Sequence, residues 1–282
     1  MFKFGFSNEE ENGNNYEEKT EKLTWFAVSE IPVTEKNISK EFDPDDSINI
    51  NISDVNLRLL NLDKTVLKLD SDKHDNIIKA ESQHSDLIPA IYEGGLKIWE
   101  CSYDLGKYLI SNNIDFENKK VLDLGCGAGV LGIIALLKGA IVHFQDYNTD
   151  VIELMTIPNV LLNLNDRNSI NDRTKFYSGD WGEFTKYFND KNSNEKYDII
   201  LTSETIYNSE NHKKLYQVFE NLLNDDGIVY LAGKTFYFGV GGGMRQFENI
   251  INEEKKFDIK NIWKSQNGVQ REIMKLVKHQ YS

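Results

Sequence analysis

From Leu87 onward the apolar positions fall into two alternating rhythms. Short apolar runs bounded by turn residues predict strands, and apolar residues three and four apart predict helices. Ile98–Ser111 carries Trp99, Leu105, Tyr108 and Leu109 at helical spacing. KKVLDLGCG, at 119–127, is a strand that runs into glycines, and VLGIIALLKG after it is an apolar helix closed by Gly139. AIVHFQD predicts a second strand, and DVIELMTIPNVLLNL a helix interrupted at Pro158. KFYSGDW and YDIILTSETIY are the third and fourth strands. Asn211–Asn224 then places Leu215, Val218, Phe219, Leu222 and Leu223 on one helix face. GIVYLAGKT is the fifth strand, Met244–Lys255 a helix, and FDIKNIW and EIMKLVKH a final pair of strands.

Five strands with helical crossovers imply an α/β fold with a parallel sheet and helices on both faces. The last two runs add an antiparallel pair at its edge. The expectation is a Rossmann-like seven-strand sheet, built as one domain over 87–282. Residues 1–54 lack this rhythm. Runs such as Glu9-Glu10-Glu11-Asn12 and Asp43-Pro44-Asp45-Asp46 leave too little apolar surface to offset chain entropy, which predicts an acidic, mostly disordered arm. Within it Phe2, Phe4 and Phe6 alternate as a docking strand or a frayed end would. Residues 55–86, with VNLRLLNL and TVLKL, read as an N-terminal appendage or hairpin.

Composition narrows the function classes. A net charge of −13 over 282 residues opposes binding to nucleic acid or to an anionic membrane surface. It suits a basic partner, or plain solubility. Cys101 and Cys126 are far apart and offer neither a disulfide framework nor zinc spacing. The five histidines form no His-x-x-x-His pair, so no metal is expected. No apolar window reaches the length of a signal sequence or membrane span, and the expectation is a soluble intracellular protein.

Two glycine clusters compete for a cofactor. VLDLGCGAGVLGI, at 121–133, follows a strand, opens a helix, and precedes an acid, Asp146, by about the ribose spacing. Gly125, Gly127 and Gly129 let the main chain turn sharply beside a ligand, and Asp146 can accept from both ribose hydroxyls. Residues 127–132 also satisfy G-x-G-x-x-G, so NAD is formally open. Asp123 opposes a pyrophosphate, however, and suits a ligand with a positive end. S-adenosylmethionine (AdoMet), with its ammonium and sulfonium, is therefore the favoured ligand. A glycine turn that binds nothing is the bland alternative. The second cluster, FYFGVGGGM at 236–244, has no acid at ribose spacing. It reads either as a rim loop facing a substrate or as a structural turn.

Read together, several segments resemble a known family. They are HSDLI (84–88), YEGGLKIWEC (92–101), VLDLGCGAGVLGI, HFQDYN (143–148), SGDW (178–181), LTSETIYN (201–208) and YFGVGGG (237–243). The resemblance is to the protein-histidine N-methyltransferases of the methyltransferase-like protein 18 group, within the seven-strand AdoMet-dependent class. It covers nearly all of 84–278, and FKFGF at the start is similar too. The resemblance implies AdoMet contacts at Ile98, Trp99, Glu100, Cys101 and Ser102, and at Gly125. It implies further contacts at Gln145, Asp146 and Tyr147, at Gly179, Asp180 and Trp181, and at Ser203. Trp99 could cover a sulfonium with its ring face or be an ordinary core tryptophan. Asp180 could accept from the adenine amino group or cap a helix. Glu204 and Tyr207 occupy the position of an acid-x-x-Tyr element and would orient the acceptor. Glu204 could equally be a structural carboxylate bonded to loop amides.

What the resemblance implies is methylation of a histidine, to the tele-methyl product, in a basic large-subunit ribosomal protein. The enzyme would act as a monomer, in the cytoplasm and with the nucleus as a second location. Two alternatives are a lysine methyltransferase of the same fold and a non-catalytic scaffold.

Overall fold

The computed structural model describes residues 25–68, 91–191 and 194–279. Ten strands run in chain order. They are β1 (Ser29–Glu30), β2 (Ser47–Ile52), β3 (Val55–Leu60), β4 (Lys120–Leu124) and β5 (Ile141–Asp146), followed by β6 (Thr174–Ser178), β7 (Tyr197–Ser203), β8 (Leu223–Lys234), β9 (Phe257–Lys264) and β10 (Arg271–Lys278). The helices before the central sheet are α1 (Glu35–Ile38), α2 (Leu62–Leu67) and α3 (Glu100–Ser111). Those interleaved with it are α4 (Val130–Leu137), α5 (Thr149–Val151), α6 (Ile157–Asn163), α7 (Ile170–Arg173), α8 (Trp181–Asp190), α9 (His212–Leu222) and α10 (Met244–Glu254).

The main sheet has the order β1-β6-β5-β4-β7-β8-β10-β9. β4 lies at its centre, parallel to β5 and β7, and β10 runs antiparallel between β8 and β9. This is the predicted seven-strand arrangement with its terminal antiparallel pair, plus one short strand at the far edge. The central strands read as unbroken apolar runs because both faces are covered. One core packs Leu105, Ile133, Phe144 and Phe176 on one face. The other packs Leu122, Phe184, Phe219 and Phe247 on the opposite face. Among the described residues no helix is long and apolar enough to cross a membrane.

Two expectations change. Residues 25–54 are not an unstructured arm: β1 pairs antiparallel with β6, and β2 pairs with β3. The boundary placed between residues 54 and 55 therefore falls inside a hairpin turn. That hairpin packs on the main sheet's helical layer through Ile52, Leu57 and Leu59, all buried with α3 and α4 residues. Its backbone is held by side chains of α6, with Leu60 N–H donating to Asn159 Oδ1 at 2.8 Å and Arg58 N–H to Asn163 Oδ1 at 3.0 Å. The few apolar residues of the segment suffice because they join an existing core rather than build one. Residues 1–24, with Phe2, Phe4 and Phe6, and residues 69–90 lie outside the described residues.

The second change concerns Pro158. The chain stays helical through it, and the irregularity is a π-helical turn at Ile152–Thr156 just upstream. Proline has no N–H to donate, and the wider turn accommodates that loss. The fourth strand ends at Ser203, which leaves Glu204-Thr205-Ile206-Tyr207 in the loop just after it.

Candidate functional site

A cavity opens at the carboxyl ends of β4, β5, β6 and β7, where ligands sit in sheets of this type. Its floor is the turn after β4. Gly125 and Gly127 sit at φ +67° and +51°, and a Cβ at Gly127 would lie 2.8 Å from the Gly95 carbonyl. Only glycine fits both demands. The turn is held from behind by the irregular helix: Thr156 Oγ1 donates to the Gly127 carbonyl (2.6 Å) and Asn159 Nδ2 to that of Ala128 (2.9 Å). Gly132 has a different task, since a Cβ there would lie 2.3 Å from the Phe144 ring. It lets α4 lie against the sheet.

Two carboxylates share one wall. Asp146 Oδ2 accepts from Gly127 N–H (2.9 Å) and Oδ1 from Asn148 N–H (3.3 Å). Asp123 Oδ2 accepts from Gly132 N–H (2.8 Å). Burial pushes Asp123 up to about 8, with Asp146 adding to the rise against the Gly132 bond. Burial likewise pushes Asp146 up to about 6, against its backbone hydrogen bonds. Among the described residues no basic side chain forms an ion pair with either carboxylate, although Lys97 lies elsewhere on the cavity lining.

Aromatic faces complete the cavity. Trp99 donates its indole N–H to the Gly94 carbonyl (3.0 Å) and stacks on Tyr207 at 6.1 Å between centroids. The Tyr207 hydroxyl donates to the Glu93 carboxylate. Burial and Glu93 hold that phenol well above its usual value. Trp181 donates to Gln145 Oε1 (2.9 Å), and Gln145 Nε2 donates to the Gly179 carbonyl (2.7 Å). Asp180 caps α8, accepting from Gly182 N–H (2.9 Å), while its other oxygen accepts from Lys214 Nζ (2.7 Å). Capping, the bland alternative for this residue, is what its carboxylate does here.

Of the residues singled out from sequence, Ile98, Trp99, Ser102, Asp123, Gly125 and Gly127 lie on the cavity wall. So do Asp146, Tyr147, Gly179, Asp180, Trp181, Ser203, Glu204 and Tyr207. Four stand behind it. Gly129, at φ +80°, is the N-cap of α4, and Gln145 is fully buried beneath Trp181. Cys101 is also fully buried, its main-chain N–H facing Glu204 Oε1 at 3.4 Å. Glu100 points to Lys234 Nζ at 3.5 Å, with its side chain 54% exposed.

Glu204 itself is buried and sits at φ +59°, a costly conformation for a residue with a Cβ. Tyr237 donates its O–H to Glu204 Oε2 at 2.5 Å. Sequence reasoning passed over Tyr237, although the aromatic between two others in FYFGVGGGM was its signal. It also passed over Glu93 in YEGGLKIWEC. Trp25 lies on the cavity wall under the Lys214 ammonium, which is 3.3 Å from the ring centroid. Its sequence neighbours, the short apolar run Phe26-Ala27-Val28, do not distinguish it from an ordinary packing residue.

Sheet order, glycine turn and acid-lined cavity together define a methyltransferase of the seven-strand class. A family model described as "Lysine methyltransferase" matches residues 89–238, just over half of the chain. The "Histidine protein methyltransferase 1 homolog" of Dictyostelium discoideum is 48% identical over 194 residues, 68% of this chain and 60% of that one. The protein of the same description from Bos taurus is 43% identical over 235 residues, 76% of this chain and 63% of that one. The chain thus spans about three-fifths of the length of these relatives. Among solved structures, a putative SAM-dependent methyltransferase from Streptococcus mutans superimposes with a TM-score of 0.53 at 15% identity, over 84% of this chain and 57% of that one. The chain belongs to this methyltransferase family, on its protein-histidine methyltransferase branch.

Proposed function

We propose that the protein transfers a methyl group from AdoMet to a histidine imidazole nitrogen of a protein substrate. The observation that carries the reading is the pairing of two buried carboxylates, Asp123 and Asp146, neither in an ion pair among the described residues, with a main-chain turn only glycine can form. A ligand with positive charge and a nucleoside fits that wall, and a pyrophosphate does not. When bound, AdoMet supplies a methyl group on a sulfonium, an electrophile for a nitrogen lone pair. Asp146 would hold the ribose hydroxyls, and Asp123 would stabilise the ligand's positive end. Trp99 would present a ring face to the sulfonium, whose charge gains from the quadrupole, while Trp181, braced by Gln145, would flank the base.

The acceptor's chemistry sets what Glu204 must do. A lysine with its ordinary value near 10.4 costs about 4.6 kcal/mol to deprotonate at pH 7, whereas histidine near 6.5 is already mostly neutral. An imidazole therefore needs a group that selects its tautomer and collects a weakly held proton. A fixed carboxylate such as Glu204 suffices, and Tyr207 would complete the acceptor's walls. The histidine-named relatives support this acceptor. The lysine description of the family model favours the alternative, a lysine acceptor.

The family resemblance further supports a large-subunit ribosomal protein as substrate and the tele nitrogen as target. The net charge of −13 suits such a basic partner, and no part is proposed for nucleic acid or membrane. A monomer working in the cytoplasm or nucleus would meet this substrate during ribosome production. The test is incubation of ribosomal proteins with isotopically labelled AdoMet, followed by mass spectrometry. Label on a histidine of a large-subunit protein is expected. Label confined to lysine, or none on any protein, overturns the reading.

A further inference from the structure

The glycine-rich segment 236–243 contributes no residue to the cavity wall; it is bolted to the loop that carries Glu204. Gly242 N–H donates to the Tyr207 carbonyl (2.9 Å), and Tyr237 N–H donates to the Gly242 carbonyl (3.0 Å). A Cβ at Gly242 would lie 2.2 Å from the Tyr207 oxygen and 2.3 Å from that of Ile206. No other residue could bring the two loops this close. The contact sends one side chain inward. Tyr237 is 3% exposed, while its neighbours Phe236 and Phe238 are 48% and 76% exposed.

The buried phenol has two hydrogen bonds. It donates to Glu204 Oε2 (2.5 Å) and accepts from Lys234 N–H (3.2 Å). Glu204 Oε1 faces the Cys101 N–H at 3.4 Å. Gly233 leaves room for this arrangement, since a Cβ there would lie 3.3 Å from the Tyr237 oxygen and 3.0 Å from Ile206 Cδ1. Burial and the neighbouring Glu204 raise the Tyr237 phenol well above its usual value, so it stays a donor across any working pH.

We propose that Tyr237 is a positioning residue for the methyl transfer, acting through Glu204: its hydroxyl fixes the carboxylate that receives the acceptor's N–H. This rests on the reading of Glu204 given above. The left-handed backbone at Glu204 persists only if its surroundings over-determine it, and the Tyr237 bond is the side-chain part of that restraint. A donor locked on one oxygen aims the carboxylate's remaining lone pairs. An imidazole N–H bonded there leaves the other ring nitrogen with its lone pair free, which is the tautomer that can accept a methyl. The second glycine cluster thus serves the acceptor side of the reaction, as the first serves the AdoMet side.

A double-mutant cycle tests this, with the full chain and its protein acceptor. Tyr237→Phe keeps the ring and deletes the donor. We expect kcat to fall about tenfold, equivalent to roughly 1.4 kcal/mol, with KM for the acceptor and the calorimetric Kd for AdoMet within about twofold. The unchanged Kd reports an intact fold. In a Glu204→Gln background, Tyr237→Phe should change kcat by less than about twofold, because the carboxylate it serves is gone. Undiminished kcat in Tyr237→Phe, alongside an impaired Glu204→Gln, overturns the proposal alone. Equal losses in both backgrounds also overturn it, since Tyr237 would then act independently of Glu204. Full turnover in Glu204→Gln instead removes Glu204 from the chemistry, and this inference with it.

Discussion

Replacing Asp123 with asparagine should strengthen the fold and weaken the site. In the ligand-free protein burial holds Asp123 at about 8 and Asp146 at about 6. At pH 7 the first is about nine-tenths protonated and the second about one-tenth. A cation beside them favours the ionised forms, so AdoMet binding should expel about one proton. The ligand's own α-amino group, near 8 when free, takes back roughly a tenth. Calorimetry in buffers of different ionisation enthalpy measures the balance. Near pH 9 Asp123 is already mostly ionised, so release gives way to uptake by the amino group. In Asp123→Asn the amide oxygen can still accept from Gly132 N–H, but the proton to be released is gone. Release should collapse, and Kd should rise at least tenfold.

Stability moves the other way. The folded Asp123 titrates above its unfolded value of 3.8, so the folded chain holds the proton more tightly. The stability this confers is fully present below about 3.8 and is lost as pH rises through about 8. By pH 7 the loss is on the order of 4 kcal/mol. Asparagine does not ionise, so the ligand-free variant should melt higher than the native protein at pH 8. Native binding with no proton release at pH 7, or undiminished affinity in the variant, would refute the charge assignment.

Four other substitutions probe separate parts of the site. Asp146→Asn keeps one acceptor oxygen, enough for the Gly127 amide but not also for the Asn148 amide on the other oxygen, and loses charge-assisted bonds to the ribose; calorimetry should show AdoMet weakened by about 1.5–3 kcal/mol. Gly242→Ala drives a methyl into the Ile206 and Tyr207 carbonyls, so turnover and thermal stability should fall together, whereas Gly241→Ala, where no atom lies within 4 Å, should suffer only from its left-handed φ of +88°. Trp25→Ala opens the wall beneath Lys214 and should raise the Kd for AdoMet several-fold in a fluorescence or calorimetric titration, while kcat at saturating AdoMet stays near native.

Periodicity alone carried the sheet. Apolar runs such as VLDL and IVHF declare buried parallel strands because both their faces need cover, and the final pair followed from two β-like runs with a short gap. The glycine turn and Asp146 were equally legible, since a strand, a bend without side chains and a downstream acid form a local code. What the sequence could not show depended on distant segments meeting. Residues 25–60 are too polar to form a core, yet they fold because β6 offers an unpaired edge and α6 offers Asn159 and Asn163. Trp25 reaches the cavity by that route.

The same holds for the acceptor side. Glycine content marked FYFGVGGGM as a loop, and the family resemblance gave Glu204 and Tyr207 a role, but the partnership of the two segments exists only in three dimensions. Glu204 and Tyr237 are brought to 2.5 Å by a main-chain contact between loops that follow neighbouring strands. Local residue order therefore determined where a nucleotide could lie, because helix, strand and turn preferences act over a few residues. Tertiary packing decided how the carboxylate that faces the acceptor is held, because burial and long-range hydrogen bonds have no local signature.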